Sequence, residues 1–349
     1  MIEIDVEEFK RIRKKVHSVR NLNIPGYTRG MLFTILSQKK VDAVKRQYPE
    51  VSKRIEELEE FWKKEKKMPE WLKLTPVMRI RLLLKSHGLS KSAINKVLRD
   101  PQEVQSEVDS SFHPDLLEKI VWRALYTDYV YSPLAIKHQR ARGKLGEEIL
   151  KEWLSKRELC FSTEDELRGK FSKTPDFYFE EPVNVNGFNV RWIESKALFG
   201  DVKTHSTYAK KQFRIYREMF GEGCIVYWFG HVCELKDNIL STDNFKSQLK
   251  NALNDMIVYT AGGKKKAQSL AEKFNATVVD IYGLELENSI YVELGEVRSK
   301  DFLEGMCKII DAYSSGRIIV ADENKSWRES VRKDIGWILG NMGFVVVHA

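Results

Sequence analysis

The stretch Thr174–Asp201, TPDFYFEEPVNVNGFNVRWIESKALFGD, decides how this chain is read. An apolar run, Phe177-Tyr178-Phe179, leads to the turn dipeptide Asn186-Gly187, and Phe188 to Ala197 follows with alternating character. Two such runs around Asn-Gly predict a β-hairpin. Side chains alternate across a strand, so Val190, Trp192, Glu194 and Lys196 share one face while Arg191, Ile193, Ser195 and Ala197 share the other.

Glu194 and Lys196 therefore point the same way at the end of an apolar face, where charge carries a desolvation cost unless something compensates for it. A divalent cation would. Asp176, at the start of the first strand, comes beside Glu194 across the hairpin. Two carboxylates and the Ser195 carbonyl suit a hard, oxygen-seeking ion, Mg2+ or Mn2+, with waters completing its shell. Lys196, one pleat on, is placed to hold or help deprotonate a cation-bound water, or to balance charge on a phosphate. The pattern fits metal-assisted phosphodiester hydrolysis.

Pro175-Asp176 followed by Glu194-Ser195-Lys196 resembles the signature of the PD-(D/E)XK nuclease superfamily. The longer words Lys173-Thr174-Pro175-Asp176-Phe177, Trp192-Ile193-Glu194-Ser195-Lys196-Ala197, Phe199-Gly200-Asp201 and Val226-Tyr227-Trp228 resemble one family more closely. That family is the TPD-motif nucleases, with vertebrate codanin-interacting and archaeal members, and the resemblance runs over roughly residues 25 to 240. It implies an α/β fold: N-terminal helix-turn-helix segments, then a restriction-endonuclease-like core with a mixed sheet. It also implies a Mg2+-dependent phosphodiesterase, an endonuclease in expectation, with a supporting acid at Glu147 and a glutamine at Gln212.

Composition sets the limits. The chain has 349 residues, 42% hydrophobic and 31% charged, enough for two or three domains with cores of their own. No apolar run reaches the roughly 20 residues a membrane span needs, and MIEIDVEEF is too acidic for a signal peptide, so a cytoplasmic protein is expected, nuclear if the source is eukaryotic. Cys160, Cys224, Cys233 and Cys307 form no CxxC pair and are expected reduced and mostly buried. Residues 1–100 carry 24 Lys/Arg against 13 Asp/Glu, leaving the rest slightly acidic. Such an excess at one end suits a polyanion partner or, equally, solvated Lys/Glu-rich helices.

Three segments are expected: a helical, nucleic-acid-binding region over 1–133, a nuclease core over 134–240 and a smaller α/β domain over 241–349. In the first, Thr75 and Pro76 start a helix, Gly88 stops it, and Ser90 caps a second helix ending before Pro101. Ala93, Ile94, Val97 and Leu98 form the buried stripe of that second helix. Lys91, Ser92, Asn95, Lys96 and Arg99 are left for phosphates and base edges, DNA favoured over RNA, or for mere packing against neighbours. Leu145, Ile149, Leu150, Trp153 and Leu154 make an amphipathic helix ahead of the hairpin, with Glu147 either a site residue or a surface acid. A basic helix over 207–220 carries Gln212, and Cys224 to Phe229 reads as a strand buried on both faces. His205 and His231 read as structural.

In the last third the element order repeats that of the core, and Asp280 precedes Glu296 by 16 positions with Arg298 in the lysine's place. This suggests a degenerate nuclease-like repeat built on a hairpin, which binds rather than cuts because arginine keeps its proton. Two functional readings result: a cation-dependent nuclease, homodimeric if both strands must be reached, or a non-catalytic nucleic-acid-binding or adaptor protein that keeps the fold. A codanin-like partner follows only if the vertebrate members' biology carries over.

Overall fold

Asn186 and Gly187 both take positive φ, +52° and +89°, the turn that suits the twist of a two-residue hairpin. The structure, a computed structural model, describes residues 2–245, 252–323 and 330–348. The chain groups into two compact units, each made from two stretches: 1–36 with 142–256, and 37–141 with 257–349. This grouping cuts across the three consecutive segments expected from sequence. Among the described residues no helix is long and apolar enough to cross a membrane.

In the first unit, β1 (Glu3–Ile4) precedes a helix, Val6–Lys15, whose N-terminus is capped by the Asp5 carboxylate accepting from the Glu8 N–H at 2.7 Å. The helix Pro133–Ser155 carries Leu145, Ile149, Leu150, Trp153 and Leu154, all buried as their spacing predicts. Next come β2 (Ser162–Thr163), β3 (Phe177–Val185), β4 (Phe188–Lys196), β5 (Gly223–Tyr227) and β6 (His231–Val232). The order β2-β3-β4-β5 gives a mixed sheet, antiparallel through β4 and parallel between β4 and β5. Register between β3 and β4 shifts between Tyr178 and Val183, where Pro182 has no N–H for the ladder. A separate ladder pairs β1 with β6 in parallel.

A core of Trp192, Phe213, Tyr216, Phe220, Ile225 and Tyr227 packs the sheet against the helical stretch 202–220. That stretch is not one regular helix. Ala209–Phe213 forms a π-turn, a wider turn that is rare and often found at functional sites. β5 is buried along its whole length, as an apolar strand covered on both faces should be.

In the second unit, Pro76–Ser86 and Lys91–Arg99 form the expected helix pair, turned by Gly88 at φ +84°. Ser90 caps the second helix, accepting from the Ala93 N–H at 3.1 Å. Thr75 makes no cap bond; the buried Asp128 carboxylate takes the Val77 N–H at 2.9 Å instead. The other sheet is parallel throughout, in the order β11-β7-β10-β8-β9, from β7 (Ile257–Gly262), β8 (Thr277–Asp280), β9 (Ser289–Tyr291), β10 (Ile318–Asp322) and β11 (Val345–His348).

This corrects two expectations. β8 and β9 pair in parallel, because the turns at Gly283, Glu285 and Asn288, all at positive φ, carry the chain back to the start of β8. No hairpin exists there, Glu296 and Arg298 lie beyond β9, and the repeat of the core does not form. The last helix of this unit runs over Ser330–Asn341. The four cysteines make no disulfide, but Cys160 and Cys233 are exposed, since each lies in a connection rather than in a packed strand.

Candidate active site

The hairpin register that pairs Phe177 with Ile193 brings Asp176 opposite Glu194. The Asp176 N–H donates to Glu194 Oε2 at 3.3 Å, and the Ser195 N–H donates to Asp176 Oδ2 at 2.6 Å. Lys196 Nζ donates to Glu194 Oε1, so the two same-face side chains form an ion pair, 13% and 3% exposed. The lysine ammonium also lies 4.7 Å from the centre of the Tyr208 ring.

Electrostatics at this strand end are those of charge held out of water. Burial pushes the Asp176 carboxyl well above the usual range, and the charge of Glu194 adds to that. Burial raises Glu194 too, with Lys196 pulling it partly back. For Lys196 burial works against the charge, but Glu194 and Asp176 outweigh it and the net shift is upward. The lysine is thus a firmly held ammonium beside two crowded carboxyls.

Other elements surround the pair. Glu147 stands on an exposed position of the helix Pro133–Ser155, yet desolvation, then the charge of Asp176, pushes it up to about 7. Tyr216 donates to the Thr174 carbonyl at 2.8 Å, tying the turn before Asp176 to the helix behind the sheet. Trp228 Nε1 donates to Ser195 Oγ at 2.7 Å on the opposite face of β4 from Lys196. Gln212 sits in the π-turn with a buried side-chain oxygen that has no hydrogen-bond partner. His205 is buried in a structural network, 2.9 Å from both the Tyr227 hydroxyl and the Asp237 carboxylate.

Asp176, Glu194, Ser195 and Lys196 are thus linked by hydrogen bonds across the hairpin, Glu147 is close enough to feel them, and Gln212 is one turn past Tyr208. Glu164 was missed from the sequence. It begins a short helix, Glu164–Leu167, its N–H donates to the Asp176 carbonyl at 3.2 Å, and its charge reaches Asp176, Glu194 and Glu147. The signal was the capping box Thr163-x-x-Glu166, which announces that helix. Among the described residues no cluster of three or more His, Cys, Asp or Glu side chains could hold a metal by side chains alone.

The five residues expected on nucleic acid separate. Lys91 and Ser92 are exposed, whereas Lys96 is committed to Glu103 at 2.6 Å and Glu107 at 3.2 Å. Asn95 accepts from Arg81 at 3.1 Å and, with Arg99, lines a cavity in the second unit.

Comparison with known proteins places the likeness on one segment. Residues 114–248 match the family described as "Protein of unknown function TPD sequence-motif". The chain is similar to CDAN1-interacting nuclease 1 of mouse, 41% identical over 150 residues, which are 43% of this chain and 50% of the relative. The human protein of that name is 40% identical over 150 residues, again 43% and 50%. The zebrafish one is 35% identical over 191 residues, covering 51% of this chain and 61% of the relative. The chain thus spans about half the length of these mammalian relatives. No solved structure matches. The TPD match includes Glu147, Asp176, Glu194, Lys196 and Gln212, but not the helix pair at 76–99.

Proposed function

We propose that this chain is a divalent-cation-dependent nuclease with a PD-(D/E)XK-type core, hydrolysing phosphodiester bonds, DNA favoured over RNA. The observation that carries the reading is the register of the hairpin, which sets Asp176 across from Glu194 with Lys196 on the face of Glu194. Its setting fits a cation: two buried carboxyls, each raised by burial, would regain their charge beside a positive ion. Asp176, Glu194 and the Ser195 carbonyl are the oxygens that would hold Mg2+ or Mn2+. When bound, the ion would supply Lewis acidity and an acidified water.

The chain's own groups do the rest. Lys196 keeps its ammonium at the strand end, where it orients a water and balances charge on the phosphate. Glu147, pushed up to about 7, exchanges a proton with solvent near neutral pH. Gln212 offers its unpaired oxygen to that water, and Trp228 fixes Ser195 so that its carbonyl keeps its direction. The helix pair grips nucleic acid through its exposed basic residues. The relatives' name speaks of interaction with CDAN1, and a codanin-like partner for this chain is an extension of the same reading.

One assay tests the catalytic part. Labelled duplex, single-stranded and branched DNA, and RNA, are incubated with the protein in Mg2+, in Mn2+ and in chelator, beside Lys196→Ala and Asp176→Asn. Cleavage that needs the ion and is lost in both variants supports the reading. No cleavage, or cleavage surviving in both variants, leaves the adaptor alternative.

A further inference from the structure

In the second unit a cavity of about 400 Å³ opens between the helices Pro76–Ser86 and Lys91–Arg99, the start of the helix Pro133–Ser155, and Cys307 of the helix Lys300–Ala312. Four cations line it, Arg81, Arg99, Lys137 and Arg140, and among the described residues no carboxylate does. Such a concentration of one sign around a hollow is unfavourable unless an anion enters. Arg81 is half-buried, and desolvation works against its charge. Asn95 holds its guanidinium at 3.1 Å. Lys137 leans on Asp311 at 3.4 Å, a half-exposed pair that an incoming anion can replace. Arg99 and Arg140 are exposed and have no hydrogen bond or ion pair among the described residues.

The rest of the wall, Asn95 apart, is mostly apolar. Tyr131 and Ile136, the latter 43% exposed, face the same space. A cavity of this size, basic with an aromatic and aliphatic wall, suits a small molecule with a phosphate at one end and a planar ring at the other. Its lining joins the helix pair to a helix of the parallel-sheet region, outside the residues of the TPD match for all but the start of the helix Pro133–Ser155 and the turn before it.

We propose that this cavity binds one nucleotide, its phosphate among Arg81, Arg99 and Arg140 and its base against Tyr131 and Ile136. The nucleotide comes either from a nucleic-acid strand or free from solution. The inference deepens the nucleic-acid-binding part of the reading above and does not depend on catalysis.

The test uses the full chain in chelator, so that absent cleavage and absent binding are separate results. Binding of a labelled 12-nucleotide single strand, of 5′-dAMP and of inorganic phosphate is measured for the wild type, for Arg99→Glu/Arg140→Glu, for Ile136→Trp, which fills the space, and for Lys265→Glu, an exposed lysine of the helix Lys264–Phe274 outside it. Arg99, Arg140 and Ile136 are exposed, so these variants should fold. The double variant should lose at least tenfold in affinity, and its log-log salt slope for the strand should fall by about 1.4. Ile136→Trp should weaken binding with the salt slope unchanged. Strand binding weakened without dAMP binding assigns the site to a strand, and dAMP binding weakened by the same variants assigns it to a free nucleotide. Inorganic phosphate competing as well as dAMP would overturn the base contact. Losses in both cavity variants no larger than in Lys265→Glu would overturn the site.

Discussion

Replacing Gly146 by alanine is the sharpest probe of how the candidate site is supported. A Cβ built on Gly146 falls onto Trp228 Nε1, and lies 2.7 Å from Cδ1 and 2.9 Å from Cε2 of the same ring. The indole is 1% exposed and rests on Phe245, whose ring centre is 5.1 Å away, with Trp153 behind it at a further 5.1 Å. It cannot yield without disturbing that stack. Overpacking of this kind costs about 1–3 kcal/mol. Moving Nε1 off Ser195 Oγ, now at 2.7 Å, leaves a buried donor short of its partner, about 1–3 kcal/mol more. The expected loss is therefore about 2–6 kcal/mol, read by hydrogen exchange at the amides of residues 188–196 and by chemical denaturation. In a Trp228→Ala background the ring and its N–H donor are both gone, so Gly146→Ala should cost at least about 1 kcal/mol less there. Equal cost in both backgrounds would refute the argument.

Further expectations concern charge. Lys196→Met should destabilise the first unit by about 3 kcal/mol, because it strands Glu194 in a buried position, and Glu194→Gln/Lys196→Met should recover most of that; equal losses in denaturation would contradict it. Glu147 has its folded value raised from 4.5 to about 7, so its contribution to stability is complete below pH 4.5 and is lost as pH rises through 7. In chelator, Glu147→Gln should thus soften the decline in denaturation midpoint across that window, and an unchanged slope would count against it. Lys96 already holds Glu103 and Glu107, so Lys96→Ala should weaken binding of a labelled strand less than Arg99→Ala does, and similar losses would show that those glutamates let go.

What the sequence disclosed depended on how local its signals were. The β3–β4 hairpin was legible because Asn186-Gly187 and period-two alternation lie within 20 residues, and the relation of Asp176 to Glu194 follows from that register alone. The helix pair was legible for the same reason, from Pro76, Gly88 and Ser90. The parallel sheet was not. β7 ends in Ala261-Gly262, its partners β10 and β11 lie more than 50 residues on, and no local spacing states that β8 and β9 run the same way. Lys96 looked like a free cation because its partners Glu103 and Glu107 lie past the Pro101 break, on another helical turn. Glu164 passed unnoticed because its closeness to Asp176 comes from β2 pairing with β3.

The pairing of β1 with β6 has a bearing on how the chain is made. Ile4 meets Val232, and the Val6 N–H meets the Glu234 carboxylate at 2.9 Å, across a separation of 228 residues in the latter case. On the ribosome β1 cannot dock until the 228 positions that separate Val6 from Glu234 have been made. Closing so long a loop adds only a slowly growing entropic penalty, so the arrangement is tolerable at equilibrium but late in time. The strand β1 should therefore gain protection only late in synthesis, exposed meanwhile to proteases and chaperones.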